Sequence, residues 1–523
     1  AHAATTSIHP YLCLYYLHRL GFDFLAISLL TAFVMLLKLP ASAFWIDLVD
    51  HRPSLHGVLT GLLTAIGTAG ILLTLSVPPT WTPFLLPIVM IACILDGLFY
   101  QPLEVLIDSA IIKILGDYKI LYANERQYGK IISAFMAIGI GWSLDDDHDF
   151  DTLMVTLLIG SVILFLLSLS TTVQPADPTL LGILPDEQSP FLKQTENHHY
   201  KPYSLFKEHL SHISEEDPSL LQRMATNHSM ITKALPRPIS LSSELSYATL
   251  PIQSPSAMRV PRVDSDAKSL QPIQPTVHQL LDDHLPPSFE LARLPYPPPQ
   301  APAIVLITLM PGYSHCPEMN CRHPSKWIVR SFASSIFCLG IVYGMTQPLL
   351  YLYLHDTLGF PMHTLGLMGC VTMMADYLAN YLVLKVIHYG HLPVMIASAH
   401  LVLTLCTLSY TQLQPGGAPS TQLWAIVLQS LFALAMHSIW LIAAHQVDSV
   451  VLIGHERMML KGTMAACYSS LGPTLGLLLT GYLVQIQHDD TTLHGYYFVY
   501  PYAALLSLIS GILSWEWSAS HCI

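Results

Sequence analysis

The sequence predicts an all-α membrane protein with twelve transmembrane helices, arranged as two six-helix bundles joined by a long polar linker. Three observations predict this. Of 523 residues, 52% are hydrophobic and only 11% charged, with mean hydropathy +0.47; a soluble domain carries roughly 25% charged residues. Apolar runs recur along the chain, several near the ~20 residues that cross a ~30 Å hydrocarbon core. They stop between Val173 and Lys326, a stretch holding 23 of the 38 prolines and twelve of the 23 Lys and Arg.

In order, a partial run covers 1–17, and complete runs follow at 24–46, 57–77, 84–112, 130–144 and 152–172. The 130–144 run is short and Gly-rich. After the linker come runs at 327–354, 364–387, 392–411, 422–447, 460–485 and 496–517. The expected organisation is therefore an N-terminal bundle over 1–172, a Pro/Ser-rich disordered linker over 173–326 and a C-terminal bundle over 327–523.

Lys and Arg alternate between the two sets of loops. Arg52 follows the second run, and Lys113, Lys119, Arg126 and Lys130 surround the break after the fourth. The linker holds twelve, Lys385 follows the eighth run, and Arg457 and Lys461 follow the tenth. The opposite loops hold Arg19 alone. By the positive-inside rule the linker and both termini are cytoplasmic. The sequon Asn227-His228-Ser229 then lies on the side where it stays unglycosylated.

The halves repeat. Residues 10–22 read PYLCLYYLHRLGF and residues 348–360 read PLLYLYLHDTLGF. Each closes the first helix of its half, a pattern of parallel six-helix repeats. Twenty-one residues separate Trp327 from Pro348 but nine precede Pro10. We therefore expect about a dozen residues of the first helix to be missing.

The linker lacks the apolar content to pack a core. Its PYPPPQAP segment (295–302) favours extended polyproline structure, and AIVLITLM (303–310) is too short to span. HCPEMNCRH (315–323) pairs two Cys with two His, without a second pair at the usual zinc spacing. No basic block suggests nucleic acid. No nucleophile–base motif, phosphate loop or intramembrane metal set suggests an enzyme or a cofactor.

Two stretches resemble the major facilitator superfamily. FWIDLVDHR (44–52) resembles its G-x-x-x-D-R signature, with Asp50 as the acid and Arg52 as the base of a cytoplasmic gate motif; Ile46 stands at the Gly position and His51 is inserted. QPLEVLIDSAIIKILGD and YGKIISAFMAIGIGW resemble the fourth and fifth helices of the lactose-permease-like and "major facilitator superfamily domain-containing 6-like" orphan branches. Pro102, Glu104, Asp108, Tyr128 and Gly129 carry that likeness. The sugar-permease branch has an Arg where this chain has Ile132. Its tenth-helix Lys/His/Glu set is here Gln429, Phe432 and Ala435, so neither the sugar site nor that proton relay carries over.

Ionisable residues inside apolar runs are costly and suggest function. Lys38, Asp96, Glu104, Asp108, Asp376 and His437 qualify as substrate or proton-coupling candidates. Glu104 and Asp108 are four apart and share a helical face; two close carboxylates share a proton more readily than both ionise. The structural alternative is a charge network beside Lys113. Asp376 resembles an acid that the orphan branch places in its eighth helix. Asp96 precedes Gly97 and has a packing alternative. Lys38 suits a counter-ion for a fourth-helix carboxylate or a substrate anion, or else snorkels to the surface. His437 has a packing alternative, and Asp448, eleven residues on, is expected at the membrane surface. Gly57-x3-Gly61 and Gly472-x3-Gly476 read as close helix contacts.

The resemblance implies a secondary transporter of a small solute working by alternating access, with proton symport favoured because the antiporter Gly-Pro signature is missing from the fifth helix. The expected partners are the solute, protons and the lipid bilayer. The alternative is a non-transporting receptor or scaffold whose linker recruits cytosolic proteins.

Overall fold

The computed structural model describes residues 7–78, 82–115, 122–147, 150–171, 326–386, 392–450, 454–486 and 493–519. These belong to one compact unit, Ala1–Leu180 with Gln279–Ile523. The expectations for the linker, including the sequon, the polyproline segment and HCPEMNCRH, lie outside the described residues.

The first half contains α1 (His9–His18), α2 (Phe24–His51), α3 (His56–Ser76), α4, α5 (Tyr122–Asp147) and α6 (Asp151–Ser170). Helix α4 runs Thr82–Leu95, passes through a π-helical turn at Asp96–Tyr100 and continues as Leu103–Leu115. The second half contains α7, which runs Lys326–Thr346, breaks at Pro348 and ends in a π turn at Tyr353–Thr357. It is followed by α8 (Met362–Val386), α9 (Leu392–Ser409) and α10 (Pro419–Val450). Helix α11 runs Gly454–Ala466, through a π turn at Cys467–Leu471, and on as Gly472–Ile486; α12 is Leu493–Ala519. This is the twelve-helix, two-bundle architecture the sequence predicts. By length and composition alone, eight of these helices are suited to crossing a membrane: α2, α3, α4, α6, α7, α9, α10 and α12. Helix α1 has ten described residues.

One boundary needs a larger correction. The fifth helix starts at Tyr122, eight residues before the expected 130. Arg126 and Lys130, read from the sequence as loop charges, lie inside it. Helix propensity carries the chain through YANERQY despite its polarity, because neighbouring carboxylates partner the charges.

The repeat is structural. Gly21 and Gly359 both adopt left-handed φ, +70° and +73°, where Gly has no steric penalty. Phe22 N–H donates to Tyr16 O, and Phe360 N–H to Leu354 O, both at 3.0 Å. These are matching C-terminal caps of α1 and α7. Asp23 then opens α2 by accepting from Ala26 N–H at 3.1 Å, which satisfies a free N-terminal donor.

Lipid gives helices no hydrophobic reason to associate, so close packing and small residues hold the bundles. A Cβ on Gly57 would lie 2.5 Å from Ser168 O, and one on Gly472 2.7 Å from Gly340 Cα. Hydroxyls inside the bundle fold back onto their own helix, as Thr60 does to His56 O and Thr64 to Thr60 O, both at 2.8 Å. The outward faces are apolar; α6 exposes Val155, Leu158, Ile159, Val162 and Leu166.

Among the described residues, three contacts between the halves stand out. On α5 and α8, a Cβ at Gly141 would lie 2.8 Å from Gly366 Cα, and Met362 N–H and His363 Nδ1 reach the Asp145 carboxylate at 3.1 and 2.9 Å. On α2 and α11, Ser470 donates to Met35 O at 2.6 Å, and Gly481 sits against Ser28. On α1 and α7, the Tyr11 and Tyr351 rings meet edge-on at 5.2 Å, and His18 Nε2 lies 2.8 Å from Asp356 Oδ1. The linker leaves after α6 and returns before α7. Following the chain, the Gly141–Gly366, Ser28–Gly481 and His18–Asp356 contacts lie toward the opposite end of the bundles.

Candidate functional site

Five of the six intramembrane candidates, Lys38, Glu104, Asp108, Asp376 and His437, group in one charged region between the halves. On the N-terminal side, Glu104 lies 3.1 Å from Arg126 and 3.8 Å from Lys38. Arg126 Nη2 is also 3.4 Å from Asp108 Oδ2, close enough to pair electrostatically. Asp108 is 4% exposed. On the C-terminal side, Asp376 Oδ2 lies 3.6 Å from Lys130 Nζ. Lys130 belongs to α5 and Asp376 to α8, so this pair crosses between the bundles.

Spacing explains the arrangement. Glu104 and Asp108 are one turn apart on α4; Arg126 and Lys130 are one turn apart on α5. Both α4 carboxylates therefore meet Arg126, while Lys130, one turn further along α5, reaches Asp376 on α8. Three cations and three carboxylates share the region, which limits the cost of holding charge in a low dielectric.

The C-terminal half adds an aromatic wall. Tyr468, on the α11 π turn, packs 5.0 Å from Trp440 and 6.1 Å from Tyr343, ring to ring. Tyr343 and Tyr468 both lie within reach of the Asp376 charge. The π turn carries one residue more than an α turn and re-aims α11 at that point. His437 is buried on α10 in the field of Lys130 and Arg126. Its Nε2 has no hydrogen-bond partner among the described residues.

One turn from Asp376, Thr372 enters a buried polar network. Gln429 donates to Thr372 Oγ1 at 3.0 Å and to Gln347 Oε1 at 2.8 Å, and accepts from the Tyr410 hydroxyl at 2.7 Å. The network ties α7, α8 and α10 together behind the charged region.

A family model described as "MFS_1 like family" matches residues 1–494. The chain belongs to this family. The abbreviation stands for the major facilitator superfamily, so the superfamily resemblance of the fourth and fifth helices holds at that level. No curated protein sequence matches the chain. Solved structures match its fold. The nucleoside transporter NupG is 11% identical with TM-score 0.53, covering 99% of this chain and 96% of that one. A structure of a proton-dependent oligopeptide transporter is 12% identical with TM-score 0.52, covering 99% and 95%. A POT family transporter in complex with a thioalcohol-conjugated peptide is 11% identical with TM-score 0.53, covering 99% and 94%. At such identities the likeness is one of fold.

The remaining sequence candidates of this family member lie elsewhere. Asp96 sits on the α4 π turn, 3.7 Å from His9 Nε2, and accepts from Gln101 at 3.2 Å. It lines a small cavity with Leu12, Tyr16 and Thr74, away from the charged region. Gly97 beside it packs on α2, where a Cβ would lie 2.9 Å from Leu37 Cβ. Asp50 lies 2.9 Å from Lys113 Nζ, both side chains nearly inaccessible, while Arg52 is exposed. In the structure the acid of the signature-like segment thus pairs with Lys113 of α4. Lys113 is correspondingly placed with Asp50, not beside Glu104 and Asp108. The Asp448 side chain lies outside the described residues.

Arg126 and Lys130 are the residues sequence reasoning missed as site members. The available signal was their four-residue spacing, which matches Glu104 and Asp108 with opposite sign.

Proposed function

We propose that this protein is a secondary active transporter that moves a small polar solute by alternating access, coupled to protons as a symporter. The observation that carries the reading is the Lys130–Asp376 pair. It places opposite charges from the two bundles face to face within the membrane region, where ionisable groups are expensive and need a purpose. When the bundles rock, this contact must break. A proton arriving on Asp376, or a charged group of the solute bound to Lys130, releases it. Asp108, with Glu104 and Arg126, is the second proton-handling candidate. Tyr343 and Tyr468, backed by the buried Trp440, give the solute an apolar face to stack on.

The distribution of Lys and Arg supports a cytoplasmic linker, even with Arg126 and Lys130 removed from the loop count. With both termini on the same side, the contacts at the opposite end describe a form closed to the outside.

The test is thermal melting of the purified full-length chain against nucleosides, di- and tripeptides, sugars, amino acids and organic anions at tens of millimolar. A ligand at 100 times its Kd stabilises by about 2.7 kcal/mol, so weak solutes register. Nucleosides and short peptides are tried first, because proteins of this fold include a nucleoside transporter and proton-dependent oligopeptide transporters. A class-specific shift that is lost in Lys130→Met supports the reading. Shifts unaffected by Lys130→Met and Asp376→Asn together move the site elsewhere.

A further inference from the structure

The helix ends away from the linker hold a second cluster that the transport reading does not use. His18 ends α1; His355 and Asp356 lie in the π turn that ends α7. In the internal repeat, His18 and Asp356 occupy equivalent positions, eight residues after Pro10 and Pro348. Matching caps deliver the two ends to one place, so each meets its counterpart from the other half.

We propose that His18, His355 and Asp356 form a site for a zinc-type transition-metal ion that clamps the two bundles together at this end. One ligand atom from each residue lies within 4.8 Å of the other two. His18 Nε2 is 2.8 Å from Asp356 Oδ1, and the two imidazoles stand edge to face, centroids 5.4 Å apart. His355 Nδ1 lies 2.8 Å from Phe360 O. A carbonyl oxygen only accepts, so Nδ1 carries the proton and Nε2 presents its lone pair. A backbone carbonyl behind a histidine ligand is the usual support for a metal-binding imidazole. Asp356 Oδ2 is buried without a hydrogen-bond partner among the described residues, which leaves a carboxylate oxygen for a cation.

The ligand set is two imidazoles and a carboxylate. It matches a three-residue Zn2+ site with a fourth position open to water. Tetrahedral Zn–N and Zn–O bonds of about 2.0–2.2 Å require small side-chain rotations from the present separations. A hard ion such as Mg2+ prefers oxygen ligands in an octahedron and fits poorly. His18 has 41% of its side chain exposed, so the site is open to water.

One ligand comes from the first half and two from the second. A bound ion therefore favours whichever state brings these ends together, in proportion to its differential affinity. In the transporter reading, on which this consequence alone rests, such an ion slows turnover by holding this end shut.

The test uses the chelator-treated full chain in detergent. Zn2+ binding is measured by equilibrium dialysis and by melting, with millimolar Mg2+ as the control ion. The expected result is a dose-dependent rise in melting temperature with Zn2+, absent with Mg2+. His18→Ala and His355→Ala lose it, and His51→Ala, an exposed histidine at the opposite end of the bundles, keeps it. Asp356→Asn preserves side-chain shape and weakens binding at least tenfold, which covers the case in which an alanine variant fails to fold. No Zn2+ uptake by the wild type, or uptake unchanged in His18→Ala and His355→Ala, overturns the site; unchanged uptake points to His315, Cys316, Cys321 and His323. Zn2+ binding at the cluster with undiminished uptake of the solute overturns the clamp.

Discussion

Lys130 Nζ on α5 lies 3.6 Å from Asp376 Oδ2 on α8, so an ion pair joins the two halves within the membrane region. Removing one partner leaves the other charge partly buried and uncompensated, a penalty on the order of 1–3 kcal/mol. Lys130→Met is therefore expected to lower uptake by about 5- to 150-fold while surface delivery stays normal. Uptake and surface labelling in the same cells check this. The charge-exchanged double variant, Lys130→Asp with Asp376→Lys, is expected to recover melting stability better than transport.

Lys113 and Asp50 pair at 2.9 Å with side chains 2% and 4% exposed. Breaking a buried pair from one side costs about 3–5 kcal/mol. Lys113→Met is expected to lower thermal stability strongly, and Lys113→Met with Asp50→Asn to regain much of the loss. Melting curves of the three variants measure the difference.

At the α5–α8 crossing, a Cβ on Gly141 would sit 2.8 Å from both Gly366 Cα and Met362 O. Backbone atoms cannot yield as a side chain does. Gly141→Val is expected to destabilise this closed form by about 1–3 kcal/mol. Cysteine cross-linking between the α5 and α8 ends is expected to fall in that variant.

Asp145 lies beyond the apolar part of α5. The hydrogen bond with His363, helped by the Met362 N–H, holds its carboxyl below the usual carboxylate range. A lowered folded-state value contributes stability that is fully present above the unfolded value of about 3.9. That contribution is lost as pH falls through the folded value. The advantage of the wild type over Asp145→Asn is expected to shrink as pH falls below about 4 and to vanish under stronger acid. Melting temperatures recorded from pH 7 down to 3 test this.

Much of the fold was legible because a bilayer imposes a simple rule: apolar runs of a set length, broken by polar turns. The repeat at Pro10 and Pro348 was readable too, and the paired Gly21 and Gly359 caps show why those residues recur. The fifth helix is legible but its start is not, because Arg126 and Lys130 look like loop charges until Glu104, Asp108 and Asp376 are seen beside them; partners on other helices are invisible to a local window. Asp50 was read with Arg52 by motif, whereas its near neighbour, Lys113, is distant in sequence. The His18–Asp356 contact was encoded in the repeat alignment, but only the approach of the two helix ends turns equivalence into contact. The aromatic wall around Tyr468 depends on a π turn, which leaves no clear mark in hydropathy.

The most direct test of the central claim uses proteoliposomes, with the solute identified by melting and a pH dye in the lumen. Solute added outside the wild type is expected to acidify the lumen as proton and solute enter together. In Asp376→Asn, solute exchange is expected to continue or stop, with no solute-driven acidification in either case. Acidification by Asp376→Asn equal to the wild type would contradict the account and remove Asp376 from proton coupling.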